Sequence, residues 1–114
     1  MQLLVHITNH PESVSPILTG FLNAGISGAT VIDCKGMLPV LEETSPEPPP
    51  IFGSLRAFLN PEHASGKIII VVLKDEDVPT VKDIIHSVAG NLKTANTGIL
   101  FTLPIMGWEG VSHK

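Results

Sequence analysis

The sequence predicts a single α+β domain over 1–114, with a ferredoxin-like βαββαβ fold: a four-stranded antiparallel sheet carrying two helices on one face. Three observations predict it. A length of 114 residues suits one domain. A composition of 43% hydrophobic and 16% charged residues is too apolar for a disordered chain. Four apolar segments of strand type are separated by two segments whose apolar residues recur at helical spacing.

The first half of the chain is expected to form a strand, a helix and a second strand. Leu3, Val5 and Ile7 alternate with Leu4, His6 and Thr8, which predicts a first strand over about 2–8. Gly25 marks the expected end of the helix that follows. The apolar residues of that helix are Val14, Ile17, Leu18, Phe21 and Leu22. β-Branched residues over 29–34 predict the second strand.

The second half is expected to form strand, helix and strand again. The third strand covers 67–73 and the fourth 99–103, and Gly90 ends the helix between them. The buried stripe of this helix is expected to contain Val78, Val81, Ile84, Ile85 and Val88. The six residues 68–73 are all apolar, whereas helices on one face would bury only alternate residues. We therefore expect the open face of the sheet to be covered in a closed homo-oligomer.

A long loop is expected over about 37–65, mobile over 38–50, with a short helix over 52–59. It contains six of the ten prolines, and loops this long in small domains are commonly functional. We expect it to bind a protein partner. The residues proposed for this role are Glu42, Glu43, Pro48, Pro49, Pro50 and Phe52. Solvation of the two glutamates, and a core or subunit contact for the phenylalanine, are the alternatives.

Charge and motif content narrow the classes of function. The net charge of −4, without a basic patch, argues against nucleic acid as a partner. The longest apolar run is six residues, so no membrane insertion is expected, and no signal peptide is recognised. The single cysteine, Cys34, fits a reducing compartment, and we expect a cytoplasmic protein. No catalytic motif is present, so an enzyme is not expected.

Three segments resemble PII signal-transduction proteins, the nitrogen regulatory protein P-II superfamily. Residues 26–37 resemble the turn, second strand and Lys-Gly-Phe step that open the T-loop of that family. Residues 67–78 are similar to its third strand and acidic helix start, and 97–101 resemble the end of its B-loop and its fourth strand. The stretch from Gly28 to Gly36 is the most specific part of the match.

The resemblance implies a regulatory homotrimer that binds a small anionic effector in clefts between subunits. An adenine nucleotide is the effector it suggests, and the 37–65 loop would contact a transporter, an enzyme or a regulator. The implied ligand-binding residues are Lys35, Gly36, Met37, Arg56, Lys93, Thr94, Thr97 and Gly98. Solvation is the alternative for the arginine and the two lysines, and the glycines are alternatively needed only for their backbone conformation.

The sequence also departs from the family, and other interpretations stay open. Ile99 stands where the B-loop has a lysine, the paired arginines after strand four are missing, and the chain has no tyrosine. One alternative is an adaptor trimer that binds no ligand. Another is a metal-binding trimer of the CutA type using His6 and Cys34, although no His or Cys pair has the usual metal-ligand spacing.

Overall fold

The structure is a computed structural model that describes residues 1–44, 65–90, 92 and 98–111. Its strands and α-helices, in chain order, are β1 (Gln2–Thr8), α1 (Val14–Asn23), β2 (Thr30–Lys35), α2 (Met37–Thr44), β3 (Ser65–Leu73), α3 (Val78–Ala89) and β4 (Ile99–Pro104). Single 3₁₀ turns, Pro11–Ser13 and Asp75–Asp77, lead into α1 and α3. The strand boundaries expected from the sequence lie within two residues of these bounds.

Helix α2 corrects the sequence-based prediction, which placed residues 37–44 in the long loop. Pro39 is the third residue of the helix, and the N–H groups of a first turn have no intrahelical partner to lose. The backbone N–H of Val40 donates to the carbonyl of Gly36 at 3.2 Å, which closes that first turn. The proline therefore fits near the start of a helix.

The four strands form one antiparallel sheet in the order β2-β3-β1-β4. Central strand β1 pairs with β3, where Leu4 faces Val71, and with β4, where Val5 faces Phe101. The edge strand β2 pairs with β3. The prediction of an α+β domain with a four-stranded antiparallel sheet is confirmed. The simple βαββαβ order is not, because α2 lies between β2 and β3.

The hydrophobic core lies between one face of the sheet and helices α1 and α3. Strand side chains alternate between faces, so Leu4 shares this face with its neighbours on β3. The other buried apolar members are Ile17, Phe21, Ile69, Val71, Leu73, Val78, Val81 and Ile85. The two helices approach closely at Gly20, where a Cβ atom would lie 2.6 Å from Cγ2 of Ile84. Leu22 and Val88, expected on the apolar stripes, are 66% and 37% exposed.

The opposite face of the sheet, hereafter the open face, is largely apolar on all four strands. By register it carries Leu3, Val5, Ile7, Ile32, Cys34, Ile68, Ile70, Val72, Ile99, Phe101 and Leu103, together with Thr30 and Gly66. Its rim is the most accessible part: Ile99 is 57% and Leu103 49% exposed on β4, and Ile32 is 43% exposed on β2. Contiguous exposed apolar surface of this kind is uncommon on monomeric proteins.

Candidate functional site

Four of the residues that the sequence proposes for ligand binding belong to the described part of the chain, at one end of the sheet: Lys35, Gly36, Met37 and Gly98. Strands β1 and β2 end there, and β3 and β4 begin there, since Lys35 pairs with Ser65 and Ile7 with Ile99. Lys35 and Gly36 therefore follow the end of β2. Gly98 directly precedes β4 at the same end. We call this the ligand end of the sheet.

Within that end, the two halves of the proposed site are far apart. Lys35 and Gly36 lie at the β2 edge, whereas Gly98 lies at the β4 edge. Three strand spacings separate these edges, which is about 14 Å. A small ligand held by Gly98 is thus beyond direct hydrogen-bonding reach of Gly36 in the same protomer. Among the described members of the predicted set, the fold thus leaves Gly36 and Gly98 apart in one chain.

The remaining predicted residues are distributed as follows. Met37 begins α2 and is 74% exposed. Glu42 and Glu43 lie on α2. Outside the described residues are Pro48, Pro49, Pro50, Phe52, Arg56, Lys93, Thr94 and Thr97.

At the β2 half, an open depression is lined by charged side chains. Its lining residues are Asp33, Cys34, Lys35, Gly66 and Lys67. Asp33 and Lys67 are cross-strand neighbours and form an ion pair. Gly66 keeps the strands close, because a Cβ atom there would lie 2.9 Å from Sγ of Cys34. Lys35 is exposed at the margin of this depression, where it can contact an anion.

At the β4 half, a second depression of about 370 Å³ lies beside Gly98. Lys82 and His86 of α3 line it together with Leu92, Gly98, Ile99 and Leu100. Sequence reasoning missed Lys82 and His86, although their i, i+4 spacing places both side chains on one face of a helix. Lys82 thus adds a positive charge and His86 a ring nitrogen from α3, where the sequence had suggested the loop alone.

Gly98 has a backbone conformation that only glycine adopts readily. Its φ angle is +111°, and a Cβ atom would lie 2.5 Å from the carbonyl oxygen of Ile7 and 3.4 Å from Cε1 of His6. The chain entering β4 thus passes directly against β1. A structural requirement accounts for this glycine, whether or not its backbone also contacts a ligand.

His6 lies beneath this point, fully buried on the helix face of β1. Its Nδ1 is 3.0 Å from the carbonyl oxygen of Ile99, and its Nε2 is buried without a hydrogen-bond partner among the described residues. Burial lowers the pKa of His6; the hydrogen bond to Ile99 opposes this effect, and the nearby His86 adds to it. His6 is therefore a neutral core histidine at neutral pH.

The sheet register argues against a metal site made of His6 and Cys34. Cys34 faces Gly66 and lies on the open face, whereas His6 faces Ile69 on the helix face. The two side chains point to opposite sides of the sheet and cannot share one ion. Over 1–44, 65–90, 92 and 98–111, no group of three or more His, Cys, Asp or Glu side chains could hold a metal ion.

A scan against protein-family models finds no match for this sequence, and a search of curated proteins finds none either. In the part of the chain that the structure describes, no helix is long and apolar enough to cross a membrane. Nothing in the same part points to catalysis.

Proposed function

We propose that the protein is a divergent PII-like regulator: a homotrimer that binds a small anionic effector between subunits and contacts a protein partner through the 37–65 segment. One observation carries this proposal. Gly36 and Gly98 lie at the same end of the sheet but at opposite edges, which supports a site completed by a second protomer. The strand order β2-β3-β1-β4 supports a ferredoxin-like fold, in which the first and third strands are central.

Strand direction shows how protomers can complete the site. β2 runs parallel to β1, and β4 antiparallel to it, so β2 of one protomer and β4 of the next can pair as antiparallel neighbours. Each edge strand has six residues. Such pairing places Gly36 of one protomer near Gly98 of the neighbouring one. Three repeats of this head-to-tail contact close a ring, with the apolar open faces turned inward.

Charge and chemistry favour an anionic effector. Lys35 stands on one side of the proposed cleft, and Lys82 and His86 stand on the other. A phosphate between them would gain charge-assisted hydrogen bonds from both protomers. The sequence resemblance suggests an adenine nucleotide, whose phosphates meet this requirement.

Isothermal titration with adenine nucleotides and cyclic dinucleotides tests the effector. We expect binding by the wild type, and a loss of roughly tenfold or more in affinity for Lys35→Met, which removes a charge-assisted contact. Lys74→Met is the matched control, because Lys74 follows β3 at the opposite end of the sheet. No binding across the whole panel would refute the nucleotide version.

Mixed trimers test whether the site is shared. Lys35→Met and Lys82→Met are each expected to bind weakly when alone. In trimers assembled at random from equal amounts of the two, about a quarter of the interfaces carry both intact lysines, if each interface takes one from each protomer. Recovery of about a quarter of the binding sites supports the shared cleft. No recovery would mean that both lysines act within one protomer, or that neither binds the effector.

A second candidate function is an adaptor trimer without a ligand, and helix α2 favours it. Met37, Val40 and Leu41 are 74%, 40% and 41% exposed and recur at i, i+3 and i+4. This spacing is the one by which amphipathic helices bind grooves in partner proteins. Deleting 38–50 should then abolish capture of a partner while every ligand titration stays blank. Capture that survives the deletion would refute this alternative.

A further inference from the structure

The side chain of His6 joins β1 to the first residue of β4. A backbone carbonyl only accepts hydrogen bonds, so the contact to Ile99 requires the proton on Nδ1 of the ring. In the neutral ring, Nε2 then carries a lone pair. That atom is buried and has no partner among the described residues. A buried polar atom without a partner is costly, and its retention needs an explanation.

The surroundings of the ring oppose a positive charge. Its cross-strand neighbours, Ile69 and Leu100, are apolar, and so are the core residues that α1 contributes. His86 of α3 disfavours a positive charge on the His6 ring by electrostatic repulsion. Lys82, one turn earlier in the same helix, is cationic. Asp83, the acidic residue of α3, is exposed on the side of the helix away from its buried stripe. No described carboxylate compensates a charge on His6.

Protonation would therefore require water at Nε2. The ring lies against the point where the chain enters β4, since a Cβ atom on Gly98 would be 3.4 Å from Cε1 of His6. Separation of Gly98 and Ile99 from β1 is the local opening that exposes the ring with the least disturbance of the hydrophobic core. Opening at this point also breaks the hydrogen bond between His6 and the Ile99 carbonyl.

We propose that His6 is a pH-sensitive latch, which holds the first residues of β4 on β1 when neutral and releases them when protonated. The latch itself rests on the geometry of one protomer. Its consequence for effector binding rests on the proposed function, since Gly98 belongs to the β4 half of the cleft.

The direction of the pH dependence follows from linkage. Because burial lowers the pKa of His6 in the closed form, the open form binds the proton more tightly. The latch is fully effective above about pH 6.5, the ordinary pKa of an exposed histidine. As pH falls below that value, the opening equilibrium rises by up to about tenfold per pH unit, until the lowered pKa of the closed form is reached.

Hydrogen exchange of the backbone amides tests the latch without any effector. After correction for the intrinsic rate, we expect the opening constant at Ile99, whose backbone N–H faces β1 in this register, to rise up to about fivefold between pH 6.5 and 5.5. Amides at the far end of β4 should not follow. His6→Asn keeps an amide N–H near the position of Nδ1 but does not titrate, so it should abolish the pH dependence. His10→Gln is the control and should keep it, because His10 is not among the groups that act on the His6 ring.

Two outcomes would overturn the latch: a flat wild-type profile, or the same pH dependence in His6→Asn as in the wild type. If that variant does not fold, ring ¹⁵N shifts of the wild-type protein decide. They should show His6 as the Nδ1–H tautomer, with a pKa below about 6.5, the ordinary value for histidine. Titration of His6 near 6.5 would refute the proposal.

Discussion

Truncating Phe101 on the open face should weaken self-association. Phe101 lies on β4 opposite Val5 and is 39% exposed in the single chain. A phenylalanine side chain buries about 200 Å², so about 80 Å² remains for a neighbouring subunit to cover. At ~25 cal/mol per Å², covering this area would contribute about 2 kcal/mol per protomer, or about 6 kcal/mol in the proposed trimer. Phe101→Ala should remove that contribution.

The concentration of half-dissociation gives a direct measure of this loss. A change of about 6 kcal/mol raises the trimer dissociation constant by roughly four orders of magnitude. Because the half-dissociation concentration varies as the square root of that constant, it should rise roughly a hundredfold, as sedimentation velocity over a dilution series would show. Leu22→Ala is the matched control, since Leu22 is 66% exposed on α1, outside the open face. A monomeric wild type at every concentration, or equal shifts in both variants, would refute the reasoning.

Three further predictions concern stability. Gly98→Ala should lower the free energy of unfolding, measured in urea, by about 1–3 kcal/mol, because the φ angle of Gly98 is +111° and a Cβ atom there would lie 2.5 Å from a β1 carbonyl oxygen. Gly107 has open space around it, so Gly107→Ala should change the free energy of unfolding by less than about 0.5 kcal/mol. Gly20→Ala should destabilise the protein when Ile84 is present, and this loss of stability should be relieved in the Ile84→Ala background. A double-mutant cycle should give a coupling energy of at least about 1 kcal/mol, and additive effects would contradict the close contact between the helices. The N-terminal amino group lies 3.1 Å from Asp75 and lowers the pKa of that exposed carboxyl. The ion pair therefore stabilises the fold above about pH 4, and this stabilisation is lost as pH falls through the lowered pKa. In thermal unfolding, the Tm of Asp75→Asn should equal that of the wild type at low pH and in high salt.

The strands were predictable because their signals are local. Alternation along 2–8 and the unbroken apolar run at 68–73 each depend on neighbouring residues, and the structure places strands at both. The positive φ angle of Gly90, +81°, fits its predicted place at the end of a helix. Helix α2 was missed because the prolines that follow it dominated the composition of the whole 37–65 stretch. The distinction needed was positional: Pro39 lies in a first turn, where proline is tolerated.

The site was harder to predict, because its parts are assembled by tertiary structure. The sequence placed Lys35 and Gly98 in one ligand set, but spacing along a chain does not show that β2 and β4 form opposite edges of the sheet. Lys82 and His86 carried only the signal of an i, i+4 pair, which is common on solvated helices. Their relevance depends on the packing of α3 beside Gly98, which only the folded chain reveals.

The position of positive charge also bears on the main departure from the PII pattern. Ile99 stands where that family has a B-loop lysine, and the register turns Ile99 to the open face, where it is 57% exposed. A lysine there would place a charge among apolar side chains that the proposed ring turns inward, at a large desolvation cost. Lys82 and His86 instead reach the depression beside Gly98 from the helix face. Isoleucine at position 99 thus favours association through the open face. Lys82 on α3 keeps positive charge beside the candidate cleft. The loss of the loop lysine alone therefore does not argue against an anionic effector.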